Sequence, residues 1–244
     1  MKHRPMKPPG KKWTRKQRER WQGLETNLHV RSFDSPLTPE AYALRPKLPV
    51  HIILDNLRSA FNVGSIIRTA DCARIEQIHF CGYTAHPPNP KLQKTALGTI
   101  DYVPWRSHSS ALDAVQEMKQ NSIPVFALET TNRSVSLWNF TFPRSCALVV
   151  GNEALGVNVE TLKSADAILE IPMIGFKNSI NVAVALGIAL YEIQRQHWQW
   201  IKPQWHSLQC ERLGHVKENT DHNPGRHCSG SSEHDSDKSA PVDG

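Results

Sequence analysis

Cysteine is scarce and shows no paired pattern: Cys72, Cys81, Cys146, Cys210 and Cys228 make an odd count without close spacing. That argues against a disulfide framework and for a reducing compartment. Cys72, Cys81 and Cys146 lie in apolar runs, where a small buried thiol is the ordinary expectation. Long apolar runs are also missing. The longest candidate, 180–193, is too short to span a membrane. No basic segment followed by an apolar one opens the chain, so secretion is not expected. A cytoplasmic location is the expectation, with organellar targeting by the basic head as the alternative. Metal-ligand spacing is absent: Cys210, His215, His222, His227, Cys228 and His234 follow no zinc pattern, and no metal is expected. Two nucleotide signatures fail as well. G-x-G-x-x-G does not occur. The G-x-x-x-x-G of Gly151 and Gly156 is followed by Val157 and Asn158, where a phosphate-binding loop needs Lys and Ser or Thr. These absences exclude a dinucleotide-dependent dehydrogenase and a P-loop NTPase.

What is present is basic charge in one place. The 244 residues carry 29 Lys and Arg against 23 Asp and Glu, a net charge of +6. Residues 1–23 hold Lys2, Arg4, Lys7, Lys11, Lys12, Arg15, Lys16, Arg18 and Arg20 against the single acid Glu19. A polyanionic partner is indicated, drawn by contacts that carry no sequence information. Residues 1–46 read as a basic arm, helical at most over 14–22. Residues 198–244 read as a polar tail without stable structure, ending in "CSGSSEHDSDKSAPVDG".

Between them, 47–197 has the texture of a folded domain. Apolar, β-rich runs recur at 50–54, 77–81, 124–128, 146–150 and 167–171. Helical periodicity separates them: Val63, Ile66, Ile67 and Ala70 share one face of 62–73, and Leu112, Val115 and Met118 share one face of 110–120, with Ser109 or Ser110 as the cap. Strands alternating with helices predict an α/β fold with a parallel sheet covered on both faces.

Three stretches carry the chemistry. "NVGSIIRTADC" follows a strand and opens a helix, with Asn62 at its start, Gly64 allowing close approach, and Arg68 one turn past Gly64. "VVGNEALGVN" ends a strand in a glycine turn bearing Glu153. "IPMIGFKNSINVAVALGIAL" ends a strand at Ile171, turns at Gly175 and enters an apolar helix. Asn178 or Ser179 can cap that helix, which leaves Asn181 unexplained. Val182, Val184, Leu186, Ile188 and Leu190 cannot all face one sheet, and Leu186 and Leu190 are candidates for an outward face.

In order and spacing, the three motifs together resemble the SpoU/TrmH family of RNA ribose 2′-O-methyltransferases, within the SPOUT superfamily. The resemblance spans 49–196. It implies a parallel-sheet α/β domain with a C-terminal trefoil knot, S-adenosyl-L-methionine as methyl donor, tRNA or rRNA as substrate, and a homodimer. It implies a catalytic group of Asn62, Arg68, Glu153, Ser179 and Asn181. It implies a cofactor held largely by backbone around Leu128, Thr130, Gly151, Ile171 and Ile180. The alternative is a catalytically inactive RNA-binding relative of the same fold. A ribose hydroxyl must lose its proton to accept a methyl group, and none of the motifs contains a histidine. Arg68 is the family's proposed base. A guanidinium resists deprotonation, so an electrostatic clamp is the other reading of Arg68.

Overall fold

The structure, a computed structural model, describes residues 37–218. The described residues fall into two units. Leu37–Gln204 carries the sheet and everything discussed below. The other unit is represented by the stretch from Trp205, where the Trp205 and His206 rings meet edge to face at 5.0 Å. The helix expected over 14–22 lies outside the described residues.

Seven parallel strands form one sheet in the order β3-β2-β1-β6-β4-β7-β5. They are β1 (Leu48–Asp55), β2 (Ile75–Cys81), β3 (Trp105–His108), β4 (Val125–Leu128), β5 (Val135–Ser136), β6 (Cys146–Val150) and β7 (Ala167–Glu170). The apolar runs read from sequence are the inner strands β1, β2, β4, β6 and β7. The two edge strands have no such run. In β3 the residues Trp105, Arg106 and Ser107 are exposed, and β5 has two residues, so neither needs an apolar pattern.

Both faces of the sheet are covered. On one face Val50, Ile52 and Leu54 of β1 pack with α2 (Ala60–Ala73), α3 (Pro90–Ala96) and α6 (Val182–Gln196). On the other, Ile53 packs with Cys81 and with Ala111, Ala114, Val115 and Met118 of α4 (Ala111–Gln120), with the partly buried Leu162 of α5 (Val159–Ser164) against them. Alternation along β1 therefore feeds two cores. Burying each such Ile, Leu or Val contributes about 1.5–3 kcal/mol before entropy is subtracted. Cys81 and Cys146 are buried thiols whose pKa burial pushes up to about 12. Cys72, expected to be buried with them, is exposed.

The helices start and stop where their end groups find partners. Ser59 caps α2 by accepting from Asn62 N at 3.3 Å, and Arg74 ends it in the left-handed region at φ 51°. Ser110 caps α4 in a reciprocal capping box with Asp113. Gly64 of α2 is required by the approach of α3: a Cβ there would run into the Thr95 side chain.

The compact unit that carries the sheet runs from Leu37 to Gln204. A short helix, α1 (Pro39–Ala43), precedes the sheet, and its Tyr42 hydroxyl donates to Asp71 at 2.8 Å. The Arg74 guanidinium lies over the Tyr42 ring, 4.2 Å from its centroid, and donates to Pro46 O at 3.0 Å and Arg45 O at 2.6 Å. At the other end, the stretch expected to be unstructured from 198 begins as a helix, α7 (Trp198–Glu218), with Arg144 over the Trp200 ring. The rest of that tail lies outside the described residues. No described helix is long and apolar enough to cross a membrane.

One buried polar feature lies beneath α4. His51, His79 and His108 stand on β1, β2 and β3 as a row. His51 Nδ1 and His79 Nε2 are 3.1 Å apart, and His79 Nδ1 and His108 Nε2 are 2.9 Å apart. His79 is fully buried. Desolvation first, then the neighbouring His51, His108 and Arg106, push its pKa down to about 3. The unfolded chain therefore binds this proton first. The stability held by neutral His79 is complete above about pH 6.5 and is lost as pH falls toward 3. The urea midpoint should drop on acidification, at a limiting slope of about 1.4 kcal/mol per pH unit from this group. His79→Gln should show a shallower drop. A parallel drop in wild type and variant would assign the acid sensitivity to other groups.

Candidate active site

The carboxyl ends of the central strands carry the three motifs. Open parallel sheets bind ligands at this edge, where chain order reverses. The reversal here falls between β1, which continues to β2 on one side, and β6 on the other. The loops after β1 and β6 meet at that point.

The loop after β6 is a tight hairpin. Asn152 and Gly156 pair through Asn152 N to Gly156 O at 3.0 Å and Gly156 N to Asn152 O at 2.9 Å. Asn152 Oδ1 accepts from Ala154 N at 2.8 Å and Leu155 N at 3.0 Å, which fixes the turn. Its Nδ2 donates to Asn56 O at 2.7 Å and to the Tyr83 hydroxyl. Gly151 has no room for a side chain, because a Cβ would meet the Gly156–Val157 backbone. Gly156 adopts φ +71°, which favours glycine.

This hairpin projects Glu153 onto the N-terminus of α2. Glu153 Oε2 accepts from Arg58 N at 2.8 Å, and Oε1 accepts from Ser59 N at 3.1 Å and from Asn62 Nδ2 at 2.8 Å. Asn62 Oδ1 in turn accepts from Asn181 Nδ2 at 3.0 Å. Asn181 Oδ1 accepts from Ala183 N at 2.9 Å and Val184 N at 3.4 Å. So Asn181, expected inside the first helical turn, is itself the cap of α6, and its other end points into the site. Neither Asn178 nor Ser179 caps. Arg58, Ser59, Asn62 and Glu153 line a depression of about 310 Å³.

The electrostatics follow from these bonds. Partial burial pushes the Glu153 pKa up, but the hydrogen bonds from Arg58 N, Asn62 and Ser59 N outweigh it, and the pKa is lowered. A carboxylate held ionised at a helix N-terminus is a weak base and a good orienting acceptor.

Of the expected catalytic group, the structure joins Asn62, Glu153 and Asn181. It does not join Arg68 or Ser179 to them. Arg68 is exposed on α2, six residues past Asn62, and makes no hydrogen bond or ion pair among the described residues. Ser179 is exposed in the loop before α6. Arg58, Ser59, Asn152 and Asp55 were not picked out from sequence. Asp55, at the end of β1, is 2% exposed and accepts from Asn158 N at 2.8 Å. Ser59 had a readable signal, a capping residue three positions before Asn62. Asp55 had none, because its partner lies 103 residues away.

Leu128, Thr130, Gly151 and Ile171 end or follow β4, β6 and β7, which are adjacent in the sheet. Ile180 lies in the last loop, 41% exposed. Among the described residues, none makes a hydrogen bond with residues 172–180. Ile174 and Phe176 there are fully exposed, and nothing lies within 4 Å of where a Gly175 Cβ would stand. The stretch from Ile171 to Ile180 thus offers backbone donors and acceptors without partners among the described residues together with apolar side chains, and Leu128 lies on the strand that pairs with β7. That combination fits an adenosine-containing ligand.

A parallel α/β domain with its polar cluster on the carboxyl edge, tied together by three separate loops, defines the class. Residues 49–191 match the model of the SpoU rRNA Methylase family, and the chain belongs to that family. It is 30% identical over 148 residues to the tRNA (guanosine(18)-2′-O)-methyltransferase of Escherichia coli (strain K12), covering 59% of this chain and 62% of that one. The chain thus spans less than two thirds of the length of that relative. An AdoMet-bound rRNA methyltransferase from Sinorhizobium meliloti matches with a TM-score of 0.56 at 29% identity, covering 62% of this chain and 57% of that one. A structure solved for insight into the 2-OH methylation of C/U34 on tRNA matches with a TM-score of 0.56 at 30% identity, covering 62% of this chain and 97% of that one.

Asn181 serves two ends of one bond network. Asn181→Ala should lower stability by about 1 kcal/mol through loss of the cap, and Asn181→Ser should restore most of it. Urea denaturation of the three proteins checks this. Equal midpoints for Ala and wild type would show that the cap contributes nothing to folding.

Proposed function

We propose that the chain is an S-adenosyl-L-methionine-dependent RNA methyltransferase that acts on a ribose 2′-hydroxyl of tRNA or rRNA. The observation that carries this reading is the bonded line from Asn181 through Asn62 to Glu153, which unites all three family motifs on the ligand-binding edge. An inactive RNA-binding relative is not favoured, because Asn62, Arg68, Glu153, Ser179 and Asn181 are all retained.

S-adenosyl-L-methionine, when bound, supplies a methyl group already activated on a sulfonium. Leu128, Thr130, Gly151, Ile171 and Ile180 are the residues that would hold it, mainly through backbone. The chain's own task is then to position and deprotonate the hydroxyl. Glu153 is spoken for by Arg58, Ser59 and Asn62, so it orients rather than takes the proton. Asn62 and Asn181 share amide hydrogens between fixed partners and set the geometry. Arg68, exposed and without an ion-pair partner among the described residues, is free to grip a phosphate or a developing alkoxide with its fork. Ser179 stands in the unbonded loop and completes the group when that loop is engaged.

Two further parts of this reading concern architecture. The trefoil knot is the part of the fold that the family resemblance implies, and the family match over residues 49–191 supports it. A homodimer through α6 is supported by its outward residues. Leu186 and Leu190, expected to face outward, are fully buried, whereas Val184 and Tyr191 are 54% and 51% exposed. Val184→Glu or Tyr191→Glu should convert a dimer to monomer in light scattering at micromolar concentration. A monomeric wild type would contradict the dimer.

Arg68 provides the test of chemistry. As a clamp, Arg68→Lys keeps the charge and loses the fork, so single-turnover methylation should fall and partly persist. Arg68→Ala should fall further, on the order of a hundredfold. Binding of S-adenosylhomocysteine in calorimetry should be the same for wild type and both variants. If Arg68 were the base, the Lys variant's rate would climb with pH toward about 10, tenfold per unit relative to wild type. Absence of any heat with S-adenosylhomocysteine at millimolar concentration would defeat the enzyme reading itself.

A further inference from the structure

Beside the depression stands an aromatic ring that none of the three motifs includes. Tyr83 follows β2 through Gly82. Its backbone N–H donates to Asn56 Oδ1 at 3.2 Å, and its hydroxyl receives the Asn152 amide. Asn56 lies two residues before Arg58, and Asn152 directly precedes Glu153. The ring is therefore fastened at both ends to the two loops whose residues line the depression. Yet Tyr83 is 60% exposed. A tyrosine kept for packing would bury its ring. This one is held still and left open.

The chain neighbours of the depression's own residues are exposed and apolar as well. Phe61, next to Asn62, is 71% exposed, and Leu155, two residues past Glu153, is 84% exposed. Arg58 lines the depression, and its guanidinium makes no ion pair among the described residues. A polar depression with a cation that has no ion-pair partner among the described residues, and with the exposed rings of Tyr83 and Phe61 on the elements that carry it, matches a ligand that is anionic along its backbone and carries flat rings. Single-stranded RNA has that chemistry, and its splayed-out bases stack on aromatic side chains.

We propose that Tyr83 is the platform on which the RNA substrate stacks an unpaired base, bringing that nucleotide's ribose over Asn62 and Glu153. The inference rests on the RNA-methyltransferase reading above. Every base presents a π-face, so this platform selects for an unpaired nucleotide and not for base identity. Tyr83 is thus a determinant of where in an RNA secondary structure the chain can act.

The test uses the full chain, tritiated S-adenosyl-L-methionine, and total tRNA and rRNA from cells lacking the protein. Tyr83→Leu keeps apolar bulk and removes the ring. It should lower kcat/KM about tenfold or more, chiefly through KM, because stacking acts in binding. Tyr83→Phe keeps the ring and loses the hydroxyl, and should recover most of that loss. S-adenosylhomocysteine affinity and melting temperature, measured on the same proteins, separate this effect from loss of the cofactor site or of folding. A Tyr83→Leu chain as active as wild type overturns the inference. So does a Tyr83→Phe chain as poor as Tyr83→Leu, which would make the hydroxyl's bond to Asn152 the operative feature. A wild type that transfers no methyl group to RNA overturns the inference together with the reading beneath it, and is recognised without any variant.

Discussion

Glu153 accepts hydrogen bonds from Arg58 N, Ser59 N and Asn62 Nδ2, and the rest of the site is arranged by that one carboxylate. It reaches the N-terminus of α2 from a hairpin 90 or more residues later in the chain. A helix start presents unsatisfied N–H groups and a partial positive charge. Glu153 answers both, which draws the loop after β6 onto the loop after β1 at the point where strand order reverses. Asn62 then has its Nδ2 committed, so its Oδ1 faces Asn181, and α6 is registered against α2. Removing the carboxylate would free two backbone donors and leave Asn62 without a fixed orientation.

The parallel sheet makes this geometry affordable. Strands buried on both faces cannot slip, because a shift of one residue would exchange the Val50, Ile52 and Leu54 face for the Ile53 face. Rigid strands deliver their carboxyl ends to one edge. The loops then need only short, bonded turns: the Asn152–Gly156 hairpin after β6, the Asp55 to Asn158 bond across to it, and the Ser59 cap of α2.

The inner strands and the long helices were legible in the sequence because their patterns are local. β1, β2, β4, β6 and β7 appear as apolar runs, and α2 and α4 as periodic faces with capping residues. The edges were not legible. β3 is exposed over Trp105 to Ser107, and β5 is two residues long, so neither has an interior to advertise. Within the site, the residue types at Asn62, Glu153 and Asn181 could be singled out, but not their joining, since the bonds span 91 and 119 residues. Asn181 misled for a clear reason: its side chain caps one helix and bonds another, and a linear pattern displays only one role. Leu186 and Leu190 misled because α6 is apolar all round, and only packing against α2 and the sheet decides which side is covered.

Residues 172–180 are secured by no hydrogen bond among the described residues, and their largest apolar side chains face outward. Such a segment is loosely funded by its own fold. Whatever engages it must supply its order, at about 1–2 kcal/mol for each residue fixed. Part of a ligand's gross interaction is spent there, so the net affinity is lower than its contacts suggest. Under the methyltransferase reading proposed above, a wall secured by so few bonds of its own lowers the affinity for the cofactor before and after transfer alike, which favours release as much as capture.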